Sequence, residues 1–424
     1  MTRVAMTRPA LLAACALALP LMVLVPSGAD AGTYQKAKVV RVLDGDTIDV
    51  DRNHDGRIDA RVRLIGIDAP EHGLCGFRAS TNALKSLVKH KNIELRSDKG
   101  RTGIMNRLER RVIVPIAGGQ KVDASTWMLE RGWGVWMPRD GEITQSLQQH
   151  QAADRAAAAG LGWFNGDRCG IGPFSEQSLT MQVQYISDAA HWMGATALRN
   201  QEFIRIRNDG PEPVSIDGWT LRVGNDRSRR VPGGGAIPPG QAVDIHVGFG
   251  TNSATDRFLG SSVPMLVNAS IDGGKHLGSG SYLIDPNNDI RAHMTWPCTY
   301  QCVDPMGGAL VFSNLSIDPD GNEGYALNTE WVEITNQGTV PVQTGSLVLE
   351  AWPYIYEFPP DHWLAPGETM RVSSGSGDDT RLSRHLKARV PPLDNFNGRV
   401  LLRTYDAITV DCVDWGKTRC PAGS

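Results

Sequence analysis

The N-terminal part of the chain sets its apolar residues in patterns that match regular elements. Lys36 to Leu43 and Ile48 to Val50 read as two short strands on either side of the acidic turn Asp44-Gly45-Asp46-Thr47. Arg61 to Ile67 alternates again and stops at Asp68-Ala69-Pro70-Glu71. Between Arg78 and His90 the period changes, and Ala83, Leu84, Leu87 and Val88 share one face of a helix. Ser125–Arg131 predicts a second helix stopped by Gly132, and the alanine-rich run Ile143–Ala159 a third stopped by Gly160. Short strands interleaved with three helices suit a small α+β barrel.

Beyond residue 171 the pattern is strand and turn throughout, and it repeats. Asn200-Gln-Glu202-Phe203-Ile204-Arg-Ile206-Arg-Asn208-Asp-Gly210, with Pro213-Val214 after it, recurs as Asn328-Thr-Glu330-Trp331-Val332-Glu-Ile334-Thr-Asn336-Gln-Gly338 with Pro341-Val342. An offset of 128 residues is too long for a solenoid, so two tandem all-β sandwiches are expected.

Composition changes this picture in three ways. The chain has 424 residues, of which 41% are hydrophobic and 21% charged, which allows two or three packed domains and excludes wholesale disorder. Its net charge of −3 conceals an uneven split. Residues 36–170 carry 22 Lys and Arg against 17 Asp and Glu, whereas residues 171–424 carry 19 against 28. The glycine-punctuated stretch Gly166–Pro173 reads as the linker between the two parts. Finally, Arg3 and Arg8 precede the apolar run Ala10–Val25 and the small-residue site Ala29-Asp30-Ala31, the form of a secretory signal over residues 1–31. The string around Cys15 lies too early in the apolar run for a lipoprotein box. With no later membrane-length run, a secreted, extracellular protein with no transmembrane segment is expected.

Export fixes the reading of the cysteines. Six remain after the signal, an even number that reads as disulfides. Six cysteines allow 15 pairings, of which Cys75–Cys169, Cys298–Cys302 and Cys412–Cys420 are the preferred set because the last two pairs are close in sequence. Zinc is disfavoured, because no paired C-x-x-C sites exist and His293 alone stands near Cys298.

The chemistry concentrates at two strand ends. Asp46 ends one, Asp68 and Glu71 follow the other, and Arg63 lies on the same strand as Asp68. Converging carboxylates repel one another unless a cation neutralises them, and oxygen ligands select Ca²⁺ or Mg²⁺. Cation, guanidinium and a spare carboxylate are the parts that phosphodiester hydrolysis needs. A salt-bridge cluster without catalysis is the bland alternative.

Asp44-Gly45-Asp46-Thr47 and Arg63-Leu64-Ile65-Gly66-Ile67-Asp68-Ala69-Pro70-Glu71 resemble the two signature sites of the thermonuclease family, staphylococcal-nuclease-like enzymes with an OB-fold barrel. The resemblance covers residues 36–170 and implies the following roles. Asp46, Asp68 and the main-chain carbonyl of Ala69 would bind Ca²⁺, Glu71 would be the general base, and Arg63 would contact the phosphate. The family's second arginine falls in an Asp-x-Tyr-Gly-Arg motif, where this chain has Asn106-Arg107-Leu108-Glu109-Arg110. Arg110 takes the arginine's place, with Arg107 and Arg111 as alternatives. Leu108 replaces a stacking aromatic, a contact worth roughly 1–3 kcal/mol per base.

The repeated units, residues 185–303 and 312–420, resemble lamin-tail domains, which are immunoglobulin-like sandwiches with accessory roles. The first keeps Gly218-Trp219-Thr220-Leu221, whereas the second has Leu347 where the tryptophan would fall. The resemblance supplies a fold and leaves their ligand unknown. A last acidic string, Asp51 to Asp59, fits the first nine positions of an EF-hand-type loop but has Val62 at position 12, and Asp55-Gly56 also suits a hairpin turn. Whether it binds a second calcium stays open at this level. The sequence thus points to a secreted Ca²⁺-dependent nuclease acting on DNA, with RNA as a second candidate. An inactive adhesion or nucleic-acid-binding protein on the same scaffolds is the alternative.

Overall fold

The computed structural model describes residues 34–421 except 98–106, 140–144, 173, 176, 186–199, 225–226, 268–269, 273–274, 319–325 and 353. The expected signal at 1–31 lies outside the described residues. Tyr34–Ser424 form one compact unit that is mostly β, with several sheets and few helices. Among the described residues no helix is long and apolar enough to cross a membrane.

Strand β1 (Tyr34–Val42) pairs antiparallel with β2 (Thr47–Asp51), and β2 with β3 (Ala60–Leu64). The short β4 (Ile67–Asp68) follows, then helix α1 (Phe77–Val88), then β5 (Asn92–Arg96), which returns to the far edge of β1. β6 (Arg107–Pro115) pairs antiparallel with β5 and parallel with β3, which closes the five strands into a ring. The alternation anticipated from sequence fills its interior: Ala37, Val39, Ile48, Val50, Val62, Leu64, Ile93, Leu95, Val112 and Val114 are all buried.

β7 (Lys121–Asp123) leads into α2 (Ala124–Leu129), whose first turn is capped by Asp123 accepting from the Thr126 N–H at 3.1 Å. β8 (Val135–Trp136) then pairs with β4, and α3 (Ser146–Ala158) completes the part. The anticipated helices at 78–90 and 125–131 are present within a residue or two of the expected ends. The third, expected over Ile143–Ala159, begins at Ser146, because Gln145 before it takes a left-handed φ of 66°; Ile143 itself lies outside the described residues.

Next come β9 (Leu179–Gln184), β10 (Phe203–Asn208), β11 (Thr220–Val223), β12 (Arg227–Arg230), β13 (Ala242–His246) and β14 (Asp256–Phe258). They are followed by β15 (Ser270–Asp272), β16 (Lys275–Leu277), β17 (Ser279–Ile284) and β18 (Ile290–Trp296). Two four-stranded sheets, β14-β13-β10-β9 and β12-β11-β17-β18, share a core that includes Ile204, Trp219, Val243, Leu283 and Trp296. Residues 310–415 repeat the plan with two further four-stranded sheets around Leu310, Ile334, Leu347, Val372 and Leu402.

The sequence repeat is a structural one, and two asparagines show why. Asn208 donates from Nδ2 to the carbonyls of Glu212 (2.7 Å) and Ile237 (2.9 Å), while its Oδ1 accepts from the Gly210 N–H (2.9 Å). Asn336 does the same with Val340, Leu364 and Gly338, at 2.9 Å in each case. Both are buried. An amide that satisfies three main-chain groups at once is the physical content of the repeated Asn-x-Gly.

All three anticipated disulfides are formed, with Cα separations of 5.7 Å for Cys75–Cys169, 5.8 Å for Cys298–Cys302 and 6.0 Å for Cys412–Cys420. The stretch read as a linker is held at its start. Trp163 donates from Nε1 to the Asn288 carbonyl (2.7 Å), and the Cys169 N–H donates to Asp289 Oδ1 (3.0 Å). Tyr282 donates its hydroxyl to the Trp136 carbonyl (3.0 Å), and Asp154 accepts from Thr295 and Thr299, each at 2.6 Å. Val135, Met137, Trp163, Tyr282, Ile284 and Ile290 make a shared apolar cluster beneath these bonds. The strands of residues 279–296 are therefore seated against the barrel rather than tethered to it.

Candidate active site

The acidic turn is shaped by close packing. A Cβ on Gly45 would lie 1.8 Å from Ser80 Oγ and 2.7 Å from the Ala69 Cβ, so only glycine lets the turn reach the start of α1 and the end of β4. That approach sets Asp46 against the Ala69 N–H, which donates to Asp46 Oδ2 at 2.9 Å. Thr47 donates its hydroxyl to Asp46 Oδ1 at 2.8 Å.

Arg63 stands opposite Thr47 in the β2–β3 ladder, which aims its side chain along the same face. Its guanidinium is almost fully buried and meets both aspartates, Asp46 Oδ2 at 2.6 Å and Asp68 Oδ1 at 3.3 Å. Asp44, Asp46, Arg63, Ala69, Glu71 and Arg107 are among the residues lining a cavity of about 60 Å³ at this point. Four of the six expected site residues, Asp46, Arg63, Ala69 and Glu71, therefore share one wall, and Asp68 joins them through Arg63.

The three candidates for the second arginine sit in different surroundings. Arg107 reaches the cavity, and Arg110 is not among the lining residues. Arg110 is half-buried and donates to the Glu109 carbonyl at 2.7 Å. Arg111 is buried on Asp123 at 3.4 Å, and Glu109, where glycine was expected, pairs with Arg139 at 2.7 Å.

One site residue was missed by sequence reasoning. Arg222, on β11, is buried and its Nη1 pairs with Asp68 Oδ2. Its guanidinium also lies 5.7 Å from the centre of the Trp163 ring. Within Thr220-Leu-Arg-Val223 nothing marks it, because the contact exists only once β11 is packed beside the barrel.

The electrostatics follow from this geometry. Burial pushes the Asp46 carboxyl up, but the Arg63 guanidinium and the bonds from Ala69 and Thr47 outweigh it and hold it below the ordinary aspartate range. Asp44 accepts the Asp46 N–H on its Oδ1 at 3.0 Å, but this bond is too weak to offset its surroundings. Burial, reinforced by the charge of Asp46, pushes it up to about 6. A carboxyl raised in the folded state stabilises the fold below its ordinary value of 3.8, and that contribution is lost as pH rises through about 6. Asp44→Asn should therefore melt higher than the parent above pH 6 in chelator, and the two should converge below about pH 4. Parallel melting curves at every pH would contradict the assignment.

Asp46 and Asp68 would offer carboxylate oxygens and Ala69 a main-chain carbonyl, and the described cavity lining holds no sulfur or imidazole, a set that would suit a hard cation. Among the described residues no group of three or more His, Cys, Asp or Glu side chains is arranged to hold a metal. The cation would rest on Asp46, Asp68 and the Ala69 carbonyl alone.

Comparison with known proteins adds partial relatives. No family model matches the chain. An uncharacterized endonuclease of Escherichia coli is 52% identical over 56 residues, 13% of this chain and 35% of that protein. A micrococcal nuclease of Shigella flexneri is 53% identical over 86 residues, 20% of this chain and 45% of that protein. Both relatives carry nuclease names. The chain spans less than half the length of either, so the relationship covers part of this protein and part of theirs.

Proposed function

We propose that this chain is a secreted, calcium-dependent nuclease that hydrolyses phosphodiester bonds of DNA, with RNA as a second substrate. In this reading the ring of five strands is an OB-fold of the thermonuclease type over residues 36–170. Residues 185–303 and 312–420 are lamin-tail-like sandwiches that serve targeting or binding. The observation that carries the reading is the single cavity shared by Asp46, Arg63, Ala69 and Glu71, drawn from three separated segments.

Asp46, Asp68 and the Ala69 carbonyl would hold Ca²⁺, which would polarise the phosphate. Arg63 would stabilise the charge that develops on phosphate oxygens, and Glu71, exposed at the rim, would take the proton from the attacking water. Arg107, which lines the cavity, would make the second phosphate contact, with Arg110 and Arg111 as the alternatives.

One observation favours a non-catalytic alternative. Arg63 and Arg222 already neutralise Asp46 and Asp68, so the carboxylates have partners without a cation. Incubating the mature chain with duplex DNA and with single-stranded RNA in Ca²⁺ separates the two readings. Shortened DNA products are expected, with RNA cleaved more slowly or at a similar rate. Intact polymers in the presence of folded protein would favour the alternative.

A further inference from the structure

β2 and β3 stay in register as far as Val50 opposite Ala60, so Asp51 to Asp59 form the bend of this hairpin. Oxygen-bearing side chains stand at its first, third, fifth and ninth positions: Asp51, Asn53, Asp55 and Asp59. The chain reverses at Gly56, whose φ of 85° glycine adopts without strain. Gly56 N–H donates to Asp51 Oδ2 (2.9 Å), Asp55 N–H to Asn53 Oδ1 (3.1 Å) and Arg57 N–H to Asp55 Oδ1 (2.8 Å). These bonds build the turn and by themselves name no ligand.

Asp51 does. Its side chain is only 2% exposed. The bond from Gly56 to Oδ2 turns the carboxylate into the loop, while Oδ1 is buried with no hydrogen-bond partner among the described residues. A carboxylate oxygen withdrawn from water and given no donor is costly unless a cation faces it.

We propose that the Asp51–Asp59 hairpin is a second calcium site, separate from the Asp46–Asp68 cavity. Asp51 and Asp55 supply carboxylate oxygens and Asn53 an amide oxygen, and the seventh position of such loops binds through its main-chain carbonyl, here Arg57. Asp59 is held by Arg52, whose Nε lies 2.6 Å from its Oδ1, so the set rests on two acids rather than three. The twelfth position, Val62, is buried in the barrel and can supply no bidentate carboxylate. Such a reduced set belongs to the weak regime of extracellular modules, with Kd of about 10⁻⁴–10⁻³ M. A flexible ring of oxygens admits Ca²⁺ and disfavours Mg²⁺, which demands a tight octahedron.

Hydrogen exchange read by mass spectrometry tests this on the full mature chain, with calcium chloride or magnesium chloride as the only addition. Amides of residues 51–60 should slow by roughly tenfold at a Ca²⁺ concentration ten times the Kd, and Mg²⁺ should give much less. Asp51→Asn and Asp55→Asn should both lose the effect. Asp55 is exposed, so its variant carries the test even if Asp51→Asn folds poorly. No slowing in the parent at about 10 mM Ca²⁺, or equal slowing in the parent and Asp55→Asn, would overturn the proposal. The hairpin amides report independently of whether the chain cleaves nucleic acid, and the peptide containing Asp44–Thr47 reports the cavity separately.

Discussion

Replacing Glu71 by glutamine is expected to lower DNA cleavage by about 10²–10⁴-fold, the usual contribution of a positioned general base. Glutamine keeps the size and one acceptor oxygen but cannot take a proton from water. Glu71 is exposed, and its main chain is fixed locally by Pro70 before it and by the Leu74 N–H, which donates to the Glu71 carbonyl at 3.1 Å. The substitution should therefore leave the fold intact, with a melting temperature within about 1 °C of the parent, as for most exposed positions. Initial rates on plasmid DNA at saturating Ca²⁺, with a thermal melt of each sample, provide the check. A loss of less than tenfold in well-folded protein would assign the proton transfer to another group.

The second large effect is expected at Arg222. Asp68 is 1% exposed and meets two guanidiniums, one from β3 of the barrel and one from β11. Removing one partner of a buried ion pair typically costs about 3–5 kcal/mol, because the remaining charge is left under-compensated. Here Arg63 still faces Asp68, so Arg222→Ala should cost roughly 2–3 kcal/mol, somewhat below that range. The same deletion removes a positive charge that competes with any cation for Asp68. Calcium titrated calorimetrically without nucleic acid should then bind more tightly to Arg222→Ala than to the parent, while Arg222→Lys should stay close to the parent. Unchanged urea midpoint and unchanged calcium affinity in Arg222→Ala would show that this contact contributes to neither.

The contrast between Arg63 and Arg222 explains how much of the site could be read in advance. Arg63, Asp68 and Glu71 are local: a strand of period two and the turn after it fix their relative directions, and the Asp44-Gly45-Asp46 turn has its own recognisable chemistry. The helices were legible for the same reason, since Leu84, Leu87 and Val88 meet the core at helical spacing. The cysteines pair in the set preferred from the closeness of two of the pairs in sequence. Arg222 belongs to the other kind of information. It reaches Asp68 only because Trp163, Tyr282 and Ile290 pack together, and no local pattern encodes that docking. Arg107 and Arg110 show the same limit within one strand. They are three residues apart, so they point to opposite sides of β6, and only the position of β6 in the ring decides which one meets the cavity.

The most direct test of the central reading is the rate at which the mature chain digests linear duplex DNA in Ca²⁺, compared with the rate after the metal is removed by a chelator and then restored. A metal that polarises the phosphate supplies several kcal/mol of transition-state stabilisation, so chelation should slow digestion by roughly 10²-fold or more and added Ca²⁺ should restore it. Equal digestion with and without chelator, or none in either by folded protein, would contradict the account.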